Sequence, residues 1–148
     1  MSDHHRRILV VDDDPEIRRI LVTALRLRSL QIDEATDGAS ALELLRQNRY
    51  AVVLLDIMMP GVDGFSVLES LGQESDPPVV LVVSGAGKQV LDRVDTSKIH
   101  GIVKKPFDPL EIAEVVSACA EIRGRSSFET MAYATLLGGS SLIALLKL

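Results

Sequence analysis

Short apolar runs alternate with segments of helical periodicity along most of the chain. Runs of this kind are typical of parallel strands that are buried on both faces of a sheet. The intervening segments carry apolar residues at every third or fourth position, which predicts amphipathic helices. The pattern therefore predicts an α/β fold of five strand and helix units. The strands are expected at 7–11, 31–35, 51–55, 79–83 and 101–104, and the helices at about 15–28, 39–47, 65–73, 88–94 and 108–122.

The C-terminal segment differs in character from the rest of the chain. Residues 124–127 are linker-like, and residues 131–146 contain no charged side chain. We expect one α/β domain over residues 6–123, followed by a linker and an apolar helical extension over residues 124–148. Three roles are considered for the extension, in this order: packing on its own domain, forming a homodimer, and anchoring to a membrane. The apolar run is shorter than the roughly 20 residues that a spanning helix needs, which disfavours the membrane.

Composition narrows the function classes. A chain of 148 residues can bury a core as one domain, and its single cysteine excludes a disulfide framework within the chain. The formal charge of −5, with only five aromatic residues, disfavours direct binding to nucleic acid, which depends on cationic side chains. With no apolar leader at the N-terminus, the chain is expected to be cytoplasmic.

Charged side chains follow three of the predicted strands, at the point where each strand ends. Asp12 and Asp13 follow the first strand, Asp56 follows the third, and Lys105 follows the fifth. Because ligands of open α/β sheets collect at the carboxyl ends of the strands, these side chains should converge if strands one and three are neighbours. Three close carboxylates disfavour one another's ionised form unless a cation intervenes. Oxygen ligands favour Mg²⁺ over zinc, with Mn²⁺ as a substitute in vitro.

Each of these residues also has an ordinary structural explanation. An aspartate before a proline commonly caps a helix, and Asp14 before Pro15 is assigned that role alone. Ser84 precedes a glycine, as in many turns, and Lys105 alone would be a surface charge. Asp56 is more specific, because it ends five apolar residues and is followed by the loop Met-Pro-Gly-Val-Asp-Gly at 59–64.

Over roughly residues 6–123 the chain resembles the receiver domain of two-component response regulators, in particular its single-domain, chemotaxis-regulator-like members. The resemblance rests on the acidic pair after strand one, on Asp56 with its loop, on Ser84 and on Lys105 before Pro106. It implies a flavodoxin-like, doubly wound (βα)5 sheet with strand order 2-1-3-4-5.

The resemblance also implies a role for each site residue. Asp56 would accept a phosphoryl group as a nucleophile, and Asp12, Asp13 and Asp56, with the backbone carbonyl of Met58, would bind Mg²⁺. Ser84 would hydrogen-bond the phosphoryl group, and Lys105 would form an ion pair with it. The Lys105–Pro106 peptide bond is expected to be cis.

The function implied is that of a stand-alone receiver and not of an enzyme. It would be phosphorylated by a sensor histidine kinase, a histidine phosphotransfer protein or a small acyl phosphate, and would signal by binding an effector protein. Met58 and Ala86 cannot orient a water molecule, so autodephosphorylation should at most be slow. Two alternatives stay open: a phosphorylation-independent scaffold or dimerisation module, and the receiver fragment of a longer regulator.

Overall fold

The computed structural model describes residues 6–61, 64–123 and 142–145. The strands in these ranges are β1 (Arg7–Val11), β2 (Gln31–Ala35), β3 (Val52–Leu55), β4 (Val79–Ser84), β5 (Gly101–Lys104) and β6 (Leu142–Leu145). The helices are α1 (Pro15–Arg26), α2 (Gly38–Gln47), α3 (Gly64–Gly72), α4 (Lys88–Leu91) and α5 (Pro109–Arg123). Each of the five predicted strand and helix units is therefore present.

The strands form one sheet in the order β2-β1-β3-β4-β5-β6. The first five strands in this order are parallel, which confirms the expected order 2-1-3-4-5. Val11 of β1 pairs with Ala35 of β2 on one side and with Leu55 of β3 on the other. The carboxyl ends of β1 and β3 therefore lie side by side near the middle of the sheet.

The core has two halves, one on each face of the sheet, as alternation along the strands requires. Ile8 and Val10 of β1 pack into one half, with buried residues of α1 and α5, and Leu9 and Val11 pack into the other, with α2 and α3. All residues of β3 and β4 are buried, as expected for inner strands of a doubly covered sheet.

Local signals set the starts of the first two helices. The carboxylate of Asp14 accepts hydrogen bonds from the backbone N–H groups of Glu16 and Ile17, which confirms its capping role. Asp37 and Ser40 form a reciprocal capping box at the start of α2.

Helix α4 is a single turn, shorter than the predicted helix over 88–94. A 3-10 helix follows at Thr96–Lys98. Two contacts hold this part of the chain against α3: the Arg93 guanidinium lies 4.9 Å from the Phe65 ring centroid, and Lys98 Nζ lies 2.5 Å from Glu69 Oε2. These side-chain contacts join the segment after α4 to α3.

The prediction of a helical extension is wrong for residues Leu142–Leu145, which form strand β6 antiparallel to β5. An edge strand presents unpaired N–H and C=O groups, and pairing with β5 satisfies them where a helix would not. Residues 124–141 and 146–148 lie outside the described residues, so the predicted linker and homodimer role stay predictions. Among the described residues, no helix has both the length and the apolar character needed to cross a membrane.

His100 directly precedes β5 and links this strand to β4. It is half-buried, and its Nδ1 accepts a hydrogen bond from the Val80 N–H at 2.9 Å. The His100 N–H in turn donates to the Val80 carbonyl at 2.8 Å. His100 thereby extends the pairing of β4 and β5 toward the amino ends of these strands.

Candidate functional site

Asp12 and Asp56 occupy equivalent positions, one residue beyond the ends of the neighbouring strands β1 and β3. The Asp12 N–H donates to the Ala35 carbonyl at 3.2 Å, and the Asp56 N–H donates to the Val11 carbonyl at 2.9 Å. Both residues are almost fully buried, with exposed fractions of 1% and 5%. The ends of the strands thus hold two carboxylates inside the protein, where their ionised forms are costly.

Asp13 completes an acidic cluster at this edge. Its side chain is exposed, yet oxygen atoms of Asp12, Asp13 and Asp56 all lie within 4.8 Å of one another. The convergence predicted from the sequence is therefore confirmed for all three carboxylates.

Lys105 reaches into the same cluster from the end of β5. Its Nζ donates to Asp12 Oδ2 at 2.8 Å and to Asp56 Oδ2 at 3.2 Å. The Lys105–Pro106 peptide bond is cis, as expected. Three carboxylates and one ammonium group leave a formal excess of two negative charges at the site.

Burial and neighbouring charges shift the pKa values of Asp56 and Lys105. Burial raises the pKa of the Asp56 carboxyl, and the Asp12 charge adds to this, against the opposing effects of the Met58 N–H and Lys105. Burial alone would lower the pKa of Lys105, but its hydrogen bonds and attraction to Asp12 and Asp56 outweigh this and raise it. Lys105 therefore stays a cation. Its charge and the Met58 N–H only partly offset the cost of ionising the buried Asp56 carboxyl.

The start of the loop after Asp56 is restrained by a hydrogen bond between its backbone and the Asp56 side chain. Asp56 Oδ1 accepts a hydrogen bond from the Met58 N–H at 2.9 Å, and the Met58 side chain is 53% exposed. Gly61 has a φ of +78°, which an L side chain rarely adopts. The role predicted for the Met58 carbonyl as a metal ligand stays a prediction.

Ser84 lies at the end of β4, and its side chain is buried. Its Oγ accepts a hydrogen bond from the Ala86 N–H at 3.0 Å, and its carbonyl accepts one from the Lys105 N–H at 3.0 Å. The sequence placed Ser84 at this edge, and the structure does so too. Its predicted contact with a phosphoryl group stays a prediction.

Sequence reasoning missed two residues that shape the site. A Cβ atom added at Gly64 would lie 2.3 Å from Ile57 Cα and 2.6 Å from the Asp56 carbonyl oxygen, so α3 starts in direct contact with the backbone of Asp56 and Ile57. The glycine in the loop motif was the only available signal. Arg18 of α1 donates through Nη1 to the Asp12 carbonyl at 2.7 Å, and no motif pointed to it.

Residues 8–117 match the family described as "Response regulator receiver domain". The chain belongs to this family. Among curated proteins, the receiver domain is 39% identical over 114 residues to the probable transcriptional regulator ycf27 of Porphyra purpurea, covering 76% of this chain and 46% of that protein. It is 37% identical over 113 residues to the transcriptional regulatory protein SrrA of Staphylococcus aureus, covering 75% and 46%. The chain thus spans about half the length of the curated relatives it matches.

Solved structures of response regulators are also similar to this receiver domain. The response regulator protein TrrA from Thermotoga maritima, in complex with Mg(2+)-BeF, is 30% identical, with a TM-score of 0.68 over 77% of this chain and 98% of that one. The receiver domain of the Francisella response regulator 1452 is 28% identical, with a TM-score of 0.71 over 79% and 98%.

Proposed function

We propose that this receiver domain is a phosphoacceptor switch in which Asp56 takes up the phosphoryl group. The observation that supports this most directly is the position of the Asp56 carboxylate. It is buried at a sheet edge, beside the Lys105 ammonium and within the acidic cluster. A buried carboxylate is poorly solvated, and its negative charge is only partly offset by neighbouring groups. It is therefore a better nucleophile than a carboxylate solvated on a surface loop.

The proposed reaction is a direct phosphoryl transfer. One carboxylate oxygen of Asp56 attacks phosphorus, and the bond from phosphorus to the donor breaks, leaving its electron pair on a histidine nitrogen or an acyl-phosphate oxygen. The product is a mixed anhydride of Asp56. Lys105 Nζ, already within 3.2 Å of Asp56 Oδ2, would donate to the transferred oxygens, and the buried Ser84 hydroxyl would donate to another.

The acidic cluster fits a divalent cation. Its donors are oxygens of Asp12, Asp13 and Asp56 within 4.8 Å of one another, and its formal excess of two negative charges equals the charge of one such ion. We propose that these carboxylates and the Met58 carbonyl hold Mg²⁺, with Mn²⁺ as a substitute in vitro. When bound, Mg²⁺ would neutralise negative charge on the phosphoryl oxygens. The related TrrA structure, in complex with Mg(2+)-BeF, supports this assignment.

The proposed output is a change in protein binding. The donor would be a sensor histidine kinase or a histidine phosphotransfer protein in the cytoplasm, and the receiver would bind an effector protein once phosphorylated. It would have no catalytic activity toward other substrates. Loss of its own phosphoryl group should be slow, because neither Met58 nor Ala86 has a side chain that can orient a water molecule.

A second candidate is the receiver part of a longer transcriptional regulator. It is favoured by the curated relatives, which are described as transcriptional regulators and are about twice as long as the matched region. The phosphoacceptor chemistry would be the same, but the output would pass to another domain. The charge of −5 disfavours direct contact of these 148 residues with nucleic acid in either case.

Intact-mass measurement after incubation with acetyl phosphate and Mg²⁺ tests the proposed chemistry. We expect a gain of one phosphoryl group in the wild type and none in Asp56→Asn. Asp92→Asn is the matched control, because Asp92 is an exposed aspartate after α4, and it should be phosphorylated like the wild type. A wild type that stays unmodified, or an Asp56→Asn variant that is modified as readily, would argue for a phosphorylation-independent scaffold instead.

A further inference from the structure

Arg18 of α1 contacts both the residue that follows β1 and a residue of β2. From the second turn of α1 its Nη1 donates to the carbonyl oxygen of Asp12 at 2.7 Å, and its Nε lies 3.5 Å from Glu34 Oε1 on β2. The Arg18 side chain is only 14% exposed. The bond from Nη1 to Asp12 is a charge-assisted hydrogen bond, whereas Nε forms an ion pair with Glu34 and no hydrogen bond. The planar guanidinium of a largely buried arginine can therefore hold the Asp12 carbonyl in a defined direction.

The carbonyl that Arg18 holds belongs to the peptide group that joins Asp12 to Asp13. The direction of this carbonyl sets the plane of that peptide, and the plane sets where the Asp13 side chain begins. Other contacts already fix the rest of Asp12: its carboxylate accepts hydrogen bonds from the Asp14 N–H at 2.9 Å and from Lys105 Nζ at 2.8 Å. The Asp14 bond spans the link to Asp13, and the Arg18 bond acts directly on the carbonyl of that link.

Asp13 depends on this link more than its neighbours do. Asp12 and Asp56 are buried by the ends of β1 and β3, whereas Asp13 is exposed. Its oxygen nevertheless lies within 4.8 Å of oxygens of both other carboxylates. An exposed side chain has rotamer freedom to lose, so a fixed backbone reduces the entropy cost of bringing its carboxylate to a shared ligand.

We infer that Arg18 is a positioning residue for cation binding, which orients the Asp12–Asp13 peptide so that the Asp13 carboxylate faces those of Asp12 and Asp56. The inference rests on the proposed function, because it concerns the cation that the cluster would hold. A cationic side chain this close to the cluster would otherwise repel a divalent ion. The Glu34 carboxylate at 3.5 Å offsets that charge, so Arg18 supplies geometry at little electrostatic cost.

The test is Mg²⁺ titration by calorimetry of the whole chain, comparing the wild type with Arg18→Met, which keeps an unbranched side chain but no donor. We expect the dissociation constant to rise about 10-fold, the low end of the range for residues that orient metal ligands. Arg18→Lys, which keeps one charged donor, should recover part of the loss. Arg19→Met is the matched control, since Arg19 is the exposed neighbour on the same helix, and it should bind like the wild type.

A second readout separates positioning from a general loss of structure. The rate of phosphorylation by acetyl phosphate, measured against Mg²⁺ concentration, should show a higher half-saturation point in Arg18→Met with an unchanged maximal rate. Unfolding curves in EDTA check that each variant is folded at the assay temperature.

Each outcome bears on a distinct claim. An Arg18→Met dissociation constant within twofold of the wild type, or a lower maximal rate at an unchanged half-saturation point, would overturn the inference while leaving the proposed function intact. A wild type that binds no Mg²⁺, with the same heat signal as Asp13→Asn, would overturn both.

Discussion

Gly64 gives the sharpest prediction, because its missing side chain leaves room for the backbone of Asp56 and Ile57. In Gly64→Ala the new Cβ would lie 2.3 Å from Ile57 Cα and 2.6 Å from the Asp56 carbonyl oxygen. Unstrained contacts between carbon atoms have separations of about 3.5–4.0 Å, so the start of α3 or the loop must move by about 1 Å. Neither atom belongs to a side chain, and a rotamer change cannot relieve the clash.

The expected cost follows from two opposing effects. Overpacking costs about 1–3 kcal/mol, and a backbone clash should fall at the upper end of that range. Replacing glycine by alanine in a helix raises the free energy of unfolding by at most about 1 kcal/mol through helix propensity. The net loss in the free energy of unfolding should therefore be about 2 kcal/mol, or about 8 °C in the melting temperature for a domain of this size.

Urea unfolding followed by circular dichroism measures this loss, and Gly72→Ala at the other end of α3 is the control. There the new Cβ would meet only flexible carbons of the Lys98 side chain, at 3.4–3.6 Å. Its stability should be unchanged or higher by up to about 1 kcal/mol. Gly64→Ala should also accept less phosphate, because the displaced backbone includes Asp56. A Gly64→Ala variant within about 0.5 kcal/mol of the wild type, and fully phosphorylated, would refute the reasoning.

Three further predictions concern single groups. Asp56→Asn should raise the free energy of unfolding in EDTA at neutral pH by about 0.5–2 kcal/mol, because burial raises the pKa of Asp56 and its ionisation therefore opposes folding. This gain should shrink as the pH falls below the folded-state pKa and vanish below the ordinary pKa of an unfolded aspartate. A destabilised variant at neutral pH would contradict the prediction. Tyr50→Phe should lower the free energy of unfolding by about 1 kcal/mol, since the buried Tyr50 hydroxyl donates to Asp33 Oδ2 at 2.6 Å, and urea titration with an unchanged midpoint would argue against this. Phosphorylated protein in Mg²⁺ buffer should keep its label well beyond seconds, because Met58 and Ala86 cannot orient water, and mass spectra taken over time would reveal a faster loss.

Much of the fold could be predicted because its signals are local. The bounds of β1, β2 and β5 agree with those expected from their apolar runs, and Asp14 marks the start of α1. The acidic cluster was also predictable, because parallel strands end at one edge and polar residues that follow buried runs must meet there.

The remaining features depend on contacts between distant parts of the chain. The closeness of Gly64 to Asp56 depends on the path of the loop between them, and the Arg18 bond depends on the turn from β1 into α1. Neither contact leaves a periodic pattern in the sequence. The segment Leu142–Leu145 was predicted as helix, but an uninterrupted apolar run is compatible with either a helix or a strand. Pairing with the edge of β5 favours the strand.

Cys119 makes the chain a reporter of its own local opening. It is the single cysteine of the sequence, it is 3% exposed on α5, and burial raises its pKa to about 12. The thiol should therefore be inert toward alkylating reagents while α5 stays packed against α1. Any labelling must come from molecules in which α5 has transiently separated or the domain has unfolded, so the labelling rate gives the free energy of that opening without an introduced probe.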